Sequence, residues 1–137
     1  METTGIDHVG FVVADVRKRA AALARALGLR ANAPEDLPQS GVRVLHLETG
    51  HGTVELLEPL GESSPIAKYL RDKGGGLHHV ALRVRDLDAA LADLRARGVP
   101  LIDEEPRPGS RGHRIAFLHP KGTAGLLVEL VEESHAR

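Results

Sequence analysis

Four polar side chains stand at matching places in two similar parts of the sequence, and they are of types that bind divalent metal ions. Residues 6–16 are repeated in residues 77–87, and residues 54–57 are repeated in residues 128–131. Each copy of the first stretch carries a histidine, and each copy of the second stretch carries a glutamate. These four residues are His8, His79, Glu55 and Glu129.

One divalent cation could be bound by all four side chains. The sequence has no cysteine, so a metal must be bound by histidine, carboxylate or backbone oxygen. Two imidazoles and two carboxylates suit an octahedral Co, Mn, Ni or Fe ion that keeps two positions for water or substrate, whereas zinc is more often tetrahedral. A substrate with two chelating oxygens could take both positions, and the ion would stabilise an enolate oxygen. We therefore expect a divalent metal ion as cofactor, with Co²⁺ as the first choice and Mn²⁺, Ni²⁺ or Zn²⁺ as alternatives.

Each copy begins with a strand that leads into a helix. Apolar residues recur at helical spacing between Asp15 and Gly28 and between Asp86 and Gly98, with both aspartates in capping positions. Further strands are expected at residues 29–31, 42–48 and 53–58, and again at residues 101–103, 113–118 and 126–131. The order strand, helix and three strands occurs twice. This order predicts an α+β fold of two tandem βαβββ modules that share one curved mixed sheet.

The chain length favours a single domain. The chain has 137 residues, and two modules of this size are too small to bury separate cores comfortably. We expect one domain over residues 1–137, with module 1 at about 5–60 and module 2 at about 76–132. A connecting helix is expected at about 63–73, with Ser64 as its cap, Pro65 at its first position and Gly74 at its end.

Strand alternation places the histidines and glutamates away from the helices. The apolar residues at alternate positions of each first strand should face the following helix, so His8 and His79 point to the other face. The same alternation puts Glu55 and Glu129 on that helix-free face. A single glutamate between apolar residues is ordinarily solvated, but the repeated pair favours a site, because an unpaired carboxylate among apolar neighbours would be costly. The apolar neighbours expected on this face are Leu57, Leu127 and Val131.

Three stretches of the chain resemble the methylmalonyl-CoA epimerases, a family of the vicinal oxygen chelate, or glyoxalase, superfamily. They are VELLEPLGESSPIAKYL at residues 54–70, GGLHHVALRV at residues 75–84 and RIAFLHPKGTAGLLVEL at residues 114–130. With IDHVG near the start and DLPQSGV before the third strand, the similarity covers nearly the whole chain. The resemblance implies a glyoxalase-type fold and the interconversion of (2R)- and (2S)-methylmalonyl-CoA through a metal-stabilised enolate.

The resemblance also implies roles for particular residues. The two histidines and two glutamates would bind the metal, and Glu129 would carry the catalytic proton. Inversion is simplest with a second acid or base on the opposite face of the enolate, and Val44 stands where some family members have a glutamate. His46 and Glu48 share that strand face and could substitute, or they could be surface residues. An acyl-CoA substrate and a homodimer are further implications of the resemblance.

Composition and charge exclude other classes of partner. The chain has 18 basic and 19 acidic side chains and only three aromatic residues, so it offers neither a basic surface nor stacking platforms for nucleic acid. No apolar run approaches the roughly 20 residues that span a bilayer, and the start lacks the signal-peptide pattern. We expect a cytoplasmic protein with no membrane partner. The arginines of residues 105–114 could bind CoA phosphates or could belong to an ordinary exposed loop.

Two alternative functions fit the same scaffold. A glyoxalase I, which forms lactoylglutathione, would need the same four ligands and the same enediolate stabilisation, so fold and ligands do not separate the two enzymes. A non-enzymatic, ligand-sequestering module of the drug-resistance type would commonly lack metal. Substrate assays and metal analysis distinguish these alternatives.

Overall fold

The structure is a computed structural model and describes residues 1–133 of the chain. The first half contains strands β1 (Thr3–Val12), β2 (Arg30–Ala31), β3 (Glu35–Leu37), β4 (Val42–Glu48) and β5 (Thr53–Pro59), and helices α1 (Val16–Leu27) and α2 (Ala67–Lys73). The second half contains strands β6 (Gly76–Val84), β7 (Arg107–Pro108), β8 (Arg114–Phe117) and β9 (Val128–Glu132), and helix α3 (Leu87–Ala96). The chain divides into two compact units. His8–His78 is the first unit, and Met1–Asp7 with the described residues from His79 onward is the second unit.

The helix boundaries follow from the capping residues, as predicted. Asp15 and Asp86 precede α1 and α3, and each side chain accepts a hydrogen bond from the backbone N–H three residues later, at 3.0 Å. Helix α1 ends at Gly28, which has a φ of +69°. Helix α3 ends with Arg97 as its C-cap, followed by Gly98 with a φ of +72°. Glycine adopts this left-handed conformation without the steric cost that a side chain would add.

In the first unit, the strands pair in the order β2, β4, β5 and β1, and β3 pairs with the edge of β4. Strands β1 and β5 are parallel, whereas β4 and β5 form an antiparallel hairpin. One face of this sheet packs on α1, which confirms the predicted alternation. The apolar residues of this core are Phe11, Val13, Val16, Ala20, Leu23, Leu29, Leu45, Leu47, Val54 and Leu56.

In the second unit, the strands pair in the order β6, β9, β8 and β7. Strand β6 is parallel to β9, and β9 is antiparallel to β8, so the pairing repeats that of the first unit. Helix α3 packs on one face of these strands through a core that includes Val84, Leu87, Leu91, Leu94 and Leu130. The strand-helix-strand order predicted from the internal repeat is therefore present in each unit.

Two local expectations are wrong, and two short strands are additional to those expected. Strand β3 was not predicted, because its polar sequence EDL has no apolar alternation. The strand expected at residues 101–103 is a single bridge between Leu101 and Leu118. The following segment adds the short edge strand β7 instead. The connecting helix begins at Ala67, because residues 64–66 form turns in which the Ser64 carbonyl accepts the Ala67 N–H at 3.1 Å.

The prediction of a helix-free face is also wrong for the first unit. Ile66, at the N-cap of α2, packs there with Val12, Val44 and Leu57. Tyr69 and Leu70 of α2 extend this cluster. The connecting helix covers this part of the face because exposing these apolar side chains to water would cost free energy.

No helix within residues 1–133 is both long enough and apolar enough to cross a membrane.

Candidate metal centre

In the first unit, the sheet register places His8 beside Glu55. Strand β1 runs parallel to β5, with His8 opposite Thr53 and Gly10 opposite Glu55. Because Gly10 has no side chain, β1 presents nothing bulky directly beside the glutamate. The Nε2 atom of His8 lies 3.5 Å from Oε1 of Glu55, and both residues are at most 5% exposed. This confirms that the predicted pair shares one buried face of the sheet.

The second unit contains the corresponding pair. His79 on β6 and Glu129 on β9 are buried, and His79 Nε2 lies 3.0 Å from Glu129 Oε1. Ala81, another small residue, is the register partner of Glu129, as Gly10 is of Glu55. Phe117 on β8 lies directly across from Glu129, and its ring packs edge-on against the His79 ring with the centroids 5.5 Å apart. Each unit therefore contains a buried imidazole beside a buried carboxylate.

The structure places His46 in the first of these sites, although the sequence left open whether it was a surface residue. His46 is only 3% exposed and is the register partner of Glu55 across the β4–β5 hairpin. Its Nε2 atom lies 3.2 Å from Glu55 Oε2, and its ring packs edge-on against His8 at 5.6 Å. The available sequence signal was the hairpin register, because a turn at residues 49–52 sets residue 46 opposite residue 55.

The other candidate residues lie elsewhere. Val44 is buried in the apolar cluster beneath α2. Glu48 accepts a hydrogen bond from the Asn32 side chain at 2.8 Å, so its carboxylate is engaged at the end of β4. His78 points away from its neighbour His79 and packs edge-on against Tyr69, with the ring centroids 5.4 Å apart. This contact gives His78 a structural role in side-chain packing.

The arginines of residues 105–114 all contact carboxylates of their own unit. Arg107 lies 3.2 Å from Asp103 and also stacks over the Phe117 ring, 5.4 Å from its centroid. Arg111 lies 3.0 Å from the buried Asp7. The third arginine, Arg114, contacts Asp88 at 2.9 Å and Glu132 at 3.1 Å. These ion pairs explain the arginines without a bound phosphate.

Comparison with known proteins identifies the class to which this arrangement belongs. The model of the Glyoxalase/Bleomycin resistance protein/Dioxygenase superfamily matches residues 7–117. The human mitochondrial methylmalonyl-CoA epimerase is 40% identical over 126 residues, which are 91% of this chain and 72% of the human protein. The ethylmalonyl-CoA/methylmalonyl-CoA epimerase of Cereibacter sphaeroides is 40% identical over 91% of this chain and 95% of its own.

A solved structure extends the similarity to the fold. A variant of the Streptomyces coelicolor methylmalonyl-CoA epimerase in complex with 2-nitronate-propionyl-CoA has a TM-score of 0.91 and 36% identity, covering 99% of both chains. The chain belongs to the glyoxalase superfamily and, within it, to the methylmalonyl-CoA epimerase family. It has the α+β fold of that superfamily, as the sequence predicted.

Proposed function

We propose that the chain interconverts (2R)- and (2S)-methylmalonyl-CoA by removing and replacing the proton at C2, between the thioester carbonyl and the carboxylate. The observation that carries this proposal is the buried histidine–glutamate pair that occurs in each unit, at 3.5 Å in the first and 3.0 Å in the second. Membership of the epimerase family gives the substrate class. The duplicated pairs supply the side chains that the chemistry needs.

The side chains of these pairs are of the types that bind a divalent cation. Imidazole nitrogens and carboxylate oxygens are ligands for Co²⁺, Mn²⁺, Ni²⁺ and Zn²⁺, and two carboxylates balance a charge of +2. Both glutamates are buried, where an ionised carboxylate needs a compensating charge or hydrogen bonds. In this proposal His8, Glu55, His79 and Glu129 bind one ion, with Co²⁺ as the first choice. When bound, the ion supplies positive charge that stabilises the enolate oxygen.

Glu129 is the residue proposed to move the proton. One of its carboxylate oxygens takes the proton from C2 of one epimer, and in the reverse direction it gives a proton to that same face of the enolate. Inversion also needs a second acid or base that serves the opposite face. His79 holds this carboxylate from β6, through the 3.0 Å contact of its Nε2 atom with Oε1. Phe117 packs against His79, and Val131, Ala81 and Ile115 form an apolar cluster on the same strands. These apolar groups limit the access of water to the reacting carbon.

The decisive experiment measures hydrogen exchange and metal content on the same sample. Protein loaded with Co²⁺ is incubated in deuterium oxide with methylmalonyl-CoA, and exchange at C2 and inversion are followed by NMR and chiral analysis. The proposal predicts both reactions, about one bound metal per chain, and no lactoylglutathione from the glutathione hemithioacetal. Lactoylglutathione formation without C2 exchange would indicate a glyoxalase I. A protein that binds no divalent metal and catalyses neither reaction would support the ligand-sequestering alternative.

The finer expectations about assembly and location remain part of this proposal. We propose a homodimer, which light scattering coupled to size-exclusion chromatography tests directly through the molar mass. A mass of one chain at micromolar concentration would contradict it. The cytoplasmic location expected from the sequence also stays a prediction, to be tested by fractionating the source cells.

A further inference from the structure

His46 contacts the carboxylate of Glu55 from the neighbouring strand. The two oxygens of Glu55 have different neighbours: Oε1 lies 3.5 Å from His8 Nε2, and Oε2 lies 3.2 Å from His46 Nε2. On the other side of the His46 ring, Nδ1 lies 2.7 Å from Thr53 Oγ1. The three contact residues and His46 itself are buried. The imidazole is therefore held at both nitrogens.

The chemistry of these groups determines which nitrogen of the His46 ring carries the hydrogen. An ionised carboxylate can only accept hydrogen bonds, so the ring must carry its proton on Nε2 to bond with Glu55. The Thr53 hydroxyl can donate to Nδ1, which stabilises that tautomer. A hydrogen bond to an ionised acceptor is stronger than a neutral one. His46 thus donates to one defined oxygen of Glu55.

We propose that His46 is a positioning residue that makes Glu55 a metal ligand through a single oxygen, Oε1. This inference rests on the proposed metal-dependent function. An octahedral ion with one donor atom from each of four residues keeps two positions for the two oxygens of the substrate. A glutamate that bound through both oxygens would occupy one of those positions. The hydrogen bond from His46 engages Oε2 and so keeps that position for the substrate.

The internal duplication offers a contrast within the same molecule. Phe117 is the register partner of Glu129, as His46 is the register partner of Glu55. A phenyl ring has no N–H group, so it cannot donate to Glu129 in this way. The two carboxylates therefore have different cross-strand neighbours: Glu55 faces a hydrogen-bond donor, and the proposed proton carrier faces an apolar ring. His46→Phe gives the first unit the residue that the second unit already has.

The test compares Co²⁺ affinity and the visible spectrum of Co²⁺ in folded variants. Affinity is measured by competition with a chelator, and folding by circular dichroism. His46→Phe should weaken Co²⁺ binding about 10- to 100-fold, as expected when a residue that orients a ligand is lost. It should also change the ligand-field bands and raise KM more than it lowers kcat. His46→Gln should restore most of the affinity, because its amide N–H can donate to Glu55. His51→Phe is the control, since His51 is exposed in the turn after β4.

Each remaining outcome has a defined meaning. Unchanged affinity and spectrum in His46→Phe would overturn the proposal, and so would a His46→Gln protein as weak as His46→Phe. If His46→Phe does not fold, Thr53→Val replaces it. This change removes the hydroxyl behind the ring, and we expect binding to weaken several-fold; unchanged binding and spectrum would again overturn the proposal. Failure of the proposed function is seen separately. In that case the unmodified protein binds no Co²⁺, or Glu55→Ala binds it as tightly as the unmodified protein.

Discussion

Glu58 accepts a hydrogen bond from the backbone N–H of Val16, the first residue of α1, through its Oε1 atom at 2.9 Å. Its other oxygen, Oε2, lies 3.0 Å from Nη1 of Arg43. The second unit repeats this arrangement with Glu132, which accepts the N–H of Leu87 at 2.9 Å. Each carboxylate satisfies an N–H group that a helix leaves without an internal partner and places negative charge at the positive end of the helix.

Removing this carboxylate should destabilise the fold without changing the metal site. Glu58→Ala should lower the free energy of unfolding by about 1–2 kcal/mol, the scale of a lost helix cap with a charged acceptor. Urea denaturation measures the loss, and Glu62→Ala, at an exposed position, is the matched control. Equal stability of the two variants would contradict a capping role for Glu58.

Gly75 should tolerate no side chain. It has a φ of +97°, and a Cβ atom built there would lie 2.5 Å from the backbone oxygen of Val12. Gly75→Ala should therefore cost about 3 kcal/mol or more, because the strain of a positive φ adds to a backbone clash. The neighbouring Gly74 has a φ of +74° but open space around its Cβ position, so Gly74→Ala should cost only about 1–2 kcal/mol. Thermal or urea unfolding measures the loss of stability in each variant, and a larger loss in Gly74→Ala than in Gly75→Ala would disprove the clash.

Arg43 should lower the pKa of Asp36. Its Nε atom lies 2.7 Å from Oδ1 and its Nη2 atom lies 3.3 Å from Oδ2. This hydrogen-bonded pairing is the main cause of the lowered pKa, partial desolvation opposes it, and the positive charges of Arg43 and Arg17 add to it. Because the folded-state pKa is lowered, the pair stabilises the fold above the unfolded-state pKa. That contribution is lost as the pH falls through the folded-state pKa.

An NMR titration of the Asp36 carboxyl carbon measures this effect directly. The midpoint should lie below the ordinary value for aspartate and should rise in Arg43→Gln, which removes the guanidinium and its charge. A midpoint that does not move in this variant would show that Arg43 does not control the titration.

The two buried glutamates should respond differently to amide substitution. Glu129→Gln keeps an oxygen for the metal but cannot take a proton from carbon, so the epimerisation rate should fall by about 10²- to 10⁴-fold, the usual contribution of general acid–base catalysis. Glu55→Gln also keeps a ligand oxygen and should reduce the rate by no more than about tenfold on the same mechanism. C2 exchange kinetics with metal content measured in parallel decide the comparison. Similar losses in both variants would remove the special role of Glu129.

Much of each unit follows from local patterns in the sequence. The capped helices depend on residues close in sequence, and the strand faces that carry His8 and Glu55 depend on a strict period of two, so both could be predicted. The burial of His46 could not, because it depends on contacts with residues distant in sequence, such as His8 on β1. The start of α2 was also missed, since Ser64 and Pro65 form a turn rather than the first helical turn. Strand β3 depends on pairing with β4, which its own residues do not indicate.

Strands β5 and β9 each carry two glutamates, three residues apart, that point to opposite faces of the sheet. In β5, Glu55 contacts the two histidines while Glu58 holds the start of α1. A slip of this strand along its neighbours would break both sets of contacts at once, because a shift by one residue exchanges the faces and a shift by two moves each carboxylate by about 7 Å. A misaligned strand β5 would therefore lose both sets of contacts. The alignment that lets Glu58 bind the start of α1 also places Glu55 beside its two histidines.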